Sequence, residues 1–285
     1  MRTGPIPTPR IFGLSKLEPV REGILHGNLP YLALGVGEPL VYLCGSTANH
    51  RVPKPGLERF MTMRTMRPLA ERGFEVHLVN RWPNMDPAST SADIAERHAD
   101  AILEHFGGPA HVLGHSTGGS LALQLIADRP DAVRKAVVAS AAYRLGPIAK
   151  RSQLTLARGL QQTGHYTAEA LIEGTEGMVS RPWVRAMLSP LLSFIAPRIT
   201  VENVSDAVTM LMAEDAFDVR DRLETIQTEN LVIWGAKDHF WTPEMFTETA
   251  ARIPRATSIT YPNSGHAIMT ERRFAEDVSV FLHGA

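Results

Sequence analysis

The sequence predicts an α/β fold: a mostly parallel, doubly wound sheet with a helical insertion. Short apolar runs, several ending on glycine, alternate with amphipathic stretches at helical spacing. The alternation stops over residues 143–220, where only helix-like stretches occur, and resumes after residue 225. The chain has 285 residues, long enough to bury one large core.

Residues 1–20 carry several prolines and read as an irregular arm. Strand-like pieces follow near 22–26 and 30–36, then the apolar run 39–45, closed by Gly45. Residues 57–72 predict a helix, with Phe60, Met63, Met66 and Leu69 at helical spacing and the methionines as core filler. Residues 74–79 are the next strand and 91–106 an amphipathic helix. The run 111–114 leads into a helix from Gly118 to Asp128, closed by Arg129-Pro130, and 135–139 is another strand. Helices are expected over 147–163, 167–179, 183–195 and 203–213. The chain then alternates again: strand 230–235, helix 243–252, strand 256–261 and helix 270–283. The expected division is a core of 1–142 and 221–285, with 143–220 as a helical cap.

The composition is 44% hydrophobic and 21% charged with a net charge of −1, so neither disorder nor a strong field toward nucleic acid or anionic lipid is expected. A single cysteine, Cys44, excludes an internal disulfide and a cysteine zinc cluster. No apolar run approaches the length of a membrane span, and the arm lacks the apolar core of a secretory signal. A cytoplasmic location is expected, with a small-molecule substrate and no nucleic acid partner.

Chemistry concentrates at Gly114-His115-Ser116-Thr117-Gly118, between a strand and a helix. In G-x-S-x-G a serine sits on a sharp turn with its hydroxyl held out at the carboxyl end of the sheet. The helix that follows offers unpaired N–H groups and a positive dipole end. A serine nucleophile needs a base, and the base an orienting acid. Asp238 follows the strand ending at Gly235, and His266 follows the last strand. In a parallel sheet both loops leave on the edge that carries Ser116.

These segments, with Leu43-Cys44-Gly45-Ser46, resemble the α/β-hydrolase fold superfamily in its serine-nucleophile branch, over nearly the whole chain. The resemblance implies an α/β-hydrolase fold with Ser116 as nucleophile, His266 as general base and Asp238 as orienting acid. It implies backbone N–H groups of Ser46 and Thr117 as oxyanion donors, a cap over the pocket, and no metal or organic cofactor. Two departures stand out. Cys44-Gly45 replaces the family's frequent His-Gly, and Asn80-Arg81-Trp82-Pro83 replaces its Asp-x-Arg-Gly-like stretch. The implied activity is hydrolysis of an ester, lactone or thioester through an acyl-enzyme. Carbon–carbon bond hydrolysis, cofactor-free perhydrolase chemistry, acyl transfer and a non-catalytic receptor share the same scaffold.

His115, Phe240, Trp241, Trp183 and Met187 are candidates for the pocket wall, and the apolar insertion suggests an apolar substrate. His50 and His239 read as polar loop residues, and His98 and His105 as surface histidines. Cys44 reads as a small buried hydrophobe, and Asp215 and Asp218 as remote alternatives to Asp238.

Overall fold

The computed structural model describes residues 20–179 and 181–284, so the proline-containing arm lies outside the described residues apart from Val20. Strands β1 (Arg21–Leu25) and β2 (Leu29–Leu34) form an antiparallel hairpin, followed by β3 (Glu38–Leu43), α1 (Leu57–Ala70) and β4 (Phe74–Val79). Helix α2 (Ser91–Phe106) precedes β5 (Ala110–His115), α3 (Thr117–Asp128) and β6 (Val133–Ala139). Four helices come next: α4 (Pro147–Thr163), α5 (Ala168–Met178), α6 (Pro182–Ile195) and α7 (Val204–Asp215). The chain closes with β7 (Asn230–Gly235), α8 (Pro243–Arg252), β8 (Ala256–Tyr261) and α9 (Phe274–His283). The last helix begins at Phe274 rather than at residue 270, because Ile268–Thr270 forms a separate 3-10 turn.

The eight strands order as β1-β2-β4-β3-β5-β6-β7-β8, parallel except where β2 pairs with β1 and β4. Period-two alternation sends the two faces of each strand into different cores. Val41, Val112 and Val138 face one core, shared with α2, α3 and α8. Leu40, Leu113 and Val137 face the other, shared with α1 and α9. A sheet covered on both faces needs continuous apolar strands, and β7 is buried at every position.

Local signals fix the helix ends. Thr90 and Asp93 form a reciprocal capping box at the start of α2, and Gly107 closes that helix in the left-handed region. Asn203 caps α7. Residues 144 and 218, at the two ends of the helical insertion, pair as an isolated antiparallel bridge. Phe60 is 59% exposed, because only the Met66 and Leu69 side of α1 meets the sheet. The surface reading of His98 fails. His98 is buried, its Nδ1 donating to the Ile94 carbonyl at 2.8 Å, because α2 packs that face onto the core.

Candidate active site

The turn between β5 and α3 is set by steric exclusion. A β-carbon on Gly114 would lie 2.0 Å from the Gly118 carbonyl oxygen, and one on Gly118 would lie 1.9 Å from the Leu43 oxygen. Only glycine lets β3, β5 and α3 approach this closely. Ser116 occupies the helix N-cap with φ 57 and ψ −125, a conformation rare for a residue with a side chain. Its carbonyl accepts from Gly119 N (2.7 Å) and Ser120 N (3.1 Å), which starts the helix. Its hydroxyl makes no cap and is directed elsewhere.

That partner is His266, whose Nε2 is 2.9 Å from Ser116 Oγ. His266 Nδ1 is 2.8 Å from Asp238 Oδ2, and Asp238 Oδ1 accepts from the Phe240 N–H at 2.9 Å. An ionised carboxylate only accepts, so it holds the proton on Nδ1 and leaves the Nε2 lone pair facing the serine. The three side chains come from the carboxyl ends of β5, β7 and β8, as the sequence predicts. Asp238 and His266 are 3% and 5% exposed, so the chain of hydrogen bonds is shielded from bulk water.

Aromatic rings fix the imidazole. Trp241 stacks on it with planes 13° apart, and Phe240 meets it edge-on with centroids 4.7 Å apart. The His266 carbonyl accepts from Ser140 Oγ (2.9 Å) and His115 Nε2 (3.2 Å). Burial foremost, then the neighbouring His266, pushes the His115 imidazole down to about 3, so this ring stays neutral and donates from Nε2. Ser140 has no sequence signal beyond its place at the end of β6.

A cavity of about 560 Å³ opens above Ser116, between the sheet edge and helices α4–α7. Its walls include Leu156, Leu171, Met178, Leu192, Leu211 and Trp241, with Gln153 among its polar groups. His115, Phe240 and Trp241 line it, and so do Ser46 and Thr117. Trp183 and Met187 do not. They are 59% and 72% exposed on the outer side of α6, and Leu192 is the residue of that helix that reaches the cavity. Both sides of α6 are apolar, so sequence alone cannot tell the inner from the outer.

The remaining candidates lie apart from this chemistry. Asp215 meets Lys150, and Asp218 meets Arg144. His50 is buried, with Nδ1 3.1 Å from the Trp82 carbonyl oxygen, and burial pushes its pKa down to about 4. His105 and His239 are exposed. Cys44 is half-buried on the cavity wall, and burial pushes its thiol pKa up, away from the reactive thiolate. A second cavity, of about 620 Å³, lies behind Cys44 and Thr47, but its cations Arg51 and Lys54 are paired with Glu58 and Glu202. No group of three or more metal-ligating side chains occurs among the described residues, and no helix there is long and apolar enough to cross a membrane.

A sequence profile described as Alpha/beta hydrolase family matches residues 40–276, which include every side chain of this site. The chain belongs to the alpha/beta hydrolase family. Among hydrolases of known or assigned activity it is similar to RutD of Caulobacter vibrioides, assigned as a carbamate hydrolase, at 27% identity over 73% of this chain and 83% of that one. It is also similar to 2-hydroxy-6-oxononadienedioate/2-hydroxy-6-oxononatrienedioate hydrolase 2 of Pseudomonas putida, at 26% identity over 88% of this chain and 90% of that one. The solved alpha/beta hydrolase folds that superpose on it include the enol-lactonase of Burkholderia xenovorans, with a TM-score of 0.68, 19% identity and coverage of 92% and 100%.

Proposed function

We propose that this hydrolase cleaves an ester-type bond (carboxylic ester, lactone or thioester) of a small apolar substrate through an acyl-enzyme on Ser116. The observation that carries the reading is the 2.9 Å contact between Ser116 Oγ and an imidazole already oriented by Asp238, at the floor of an apolar cavity. Helices α4–α7 act as the cap that excludes water around the acyl group, and the core of 1–142 and 221–285 carries the reacting groups.

His266 Nε2 takes the Ser116 proton as Oγ bonds to the carbonyl carbon. The carbonyl π electrons move to oxygen, which is received by the N–H groups of Ser46 and Thr117. The intermediate collapses, the bond to the leaving group breaks, and the leaving group takes the proton from the imidazolium. Water, deprotonated by the same nitrogen, then attacks the acyl carbon and frees Ser116 and the acid. A protonated imidazole cannot accept the serine proton, so activity falls toward acid.

The P. putida relative supports a second reading, carbon–carbon bond hydrolysis on the same groups. The deciding test is intact-mass labelling with a fluorophosphonate, on wild type and Ser116→Ala, followed by turnover of ester, lactone, thioester, carbamate and vinylogous diketone substrates. One adduct on wild type and none on the variant is the expected result. A well-folded wild type that takes no adduct overturns the reading.

A further inference from the structure

The departures at Cys44-Gly45 and Asn80-Arg81 meet in space. Asn80 Nδ2 donates to the Asn49 carbonyl (2.9 Å) and the Arg51 carbonyl (3.0 Å), while its Oδ1 accepts from Arg81 N (2.8 Å). The next side chain, Arg81, is 3% exposed. Its guanidinium donates to the Gly45 carbonyl at 3.2 Å, with Nη2 3.5 Å from the Cys44 carbonyl oxygen. Gly45 itself lies against the nucleophile: a β-carbon there would be 3.2 Å from Ser116 Cβ.

A trans peptide points its C=O and N–H in opposite directions. A guanidinium that holds the Gly45 oxygen on one side therefore aims the Ser46 N–H to the other. A cation on that oxygen also polarises the amide and makes its N–H a stronger donor. A buried carboxyl group of the insertion lies across a small cavity from Arg81. Glu214 of α7 is 2% exposed and accepts from Ser120 Oγ (2.9 Å) and Gln153 Nε2 (2.7 Å). Arg81, Glu214, Ser120 and Thr117 share a cavity of about 10 Å³, the size of one water.

We propose that Arg81 is a positioning residue for the oxyanion site: it orients and polarises the Gly45–Ser46 peptide so that Ser46 N–H receives the developing charge. The inference rests on the serine-hydrolase reading above. A merely structural arginine would alter stability or KM. A positioning arginine alters the transition state, so its loss lowers kcat and leaves KM nearly unchanged.

The test is steady-state turnover of the best ester by wild type, Ser116→Ala, Arg81→Met and Arg81→Lys, together with inhibition by a boronic acid that forms a tetrahedral adduct on serine. Arg81→Met is expected to lower kcat by about 10–100-fold, less than the 10²–10³ that loss of an oxyanion donor itself costs. Boronate affinity should fall by the same factor. Arg81→Lys keeps the charge but loses the planar fork, and is expected to fall between wild type and Arg81→Met. If Arg81→Met does not fold, the lysine variant decides: lowered kcat and boronate affinity at unchanged KM support the inference, and wild-type values of all three overturn it. Full kcat in Arg81→Met, with turnover that Ser116→Ala abolishes, overturns this inference alone. Turnover that survives Ser116→Ala overturns both readings.

Discussion

Helices α3 and α6 both face the cavity, yet they are built in opposite ways. Ten of the twelve residues of α3, Thr117 through Ile126, are buried between sheet and neighbouring helices. Helix α6 has no buried residue, and Trp183, Met187, Leu191 and Phe194 form an exposed apolar stripe along it. The first packs against strands and carries the Ser116 hydroxyl at its N-cap; the second offers a wall. Groups that must be placed to a fraction of an ångström sit where backbone packs on backbone, and groups that only shape a volume sit on an element with room to change.

Four substitutions sharpen that contrast, taken from the largest expected effect to the smallest. Asp238→Asn leaves the shape but lets the imidazole adopt the wrong tautomer, and should lower kcat by about 10⁴ at neutral pH with an unchanged fold. Steady-state kinetics beside circular dichroism read both. Gly118→Ala puts a β-carbon 1.9 Å from the Leu43 oxygen, a clash with backbone that cannot step aside. It should destabilise by about 3 kcal/mol in urea denaturation, against less than about 0.5 kcal/mol for Met187→Ala on the exposed side of α6. Leu192→Ala, on the inner side of the same helix, should shift kcat/KM between short and long acyl esters by about tenfold, while Met187→Ala leaves that ratio alone. Equal ratios for the two α6 variants would mean that α6 turns a different side to substrate.

The same contrast explains what could be read in advance. The turn at Ser116 was legible because Gly114 and Gly118 are required by backbone contacts, and such contacts leave a fixed spacing in the chain. Asp238 and His266 were legible because a parallel sheet delivers the loops after β7 and β8 to one edge. The strands announced themselves as apolar runs. The inward side of α6 was not legible, since periodicity marks an apolar stripe only against a polar remainder, and α6 has little of one. Nor was the burial of His98, whose ring nitrogen is satisfied by a carbonyl of its own helix and so needs no distant partner. The part proposed for Arg81 was visible only as a departure from a pattern. Its partners are carbonyl oxygens about 36 residues upstream, and carbonyls carry no residue signature.

The bridge between Arg144 and Asp218 has an evolutionary consequence. The two ends of a segment of more than seventy residues leave the sheet side by side, so the core meets them as it would the feet of a short turn. Closure entropy grows only slowly with loop length. Lengthening, trimming or exchanging what stands on those feet leaves the strand register beneath them undisturbed. A lineage can therefore vary the apolar walls of the cavity while it inherits the sheet edge beneath them.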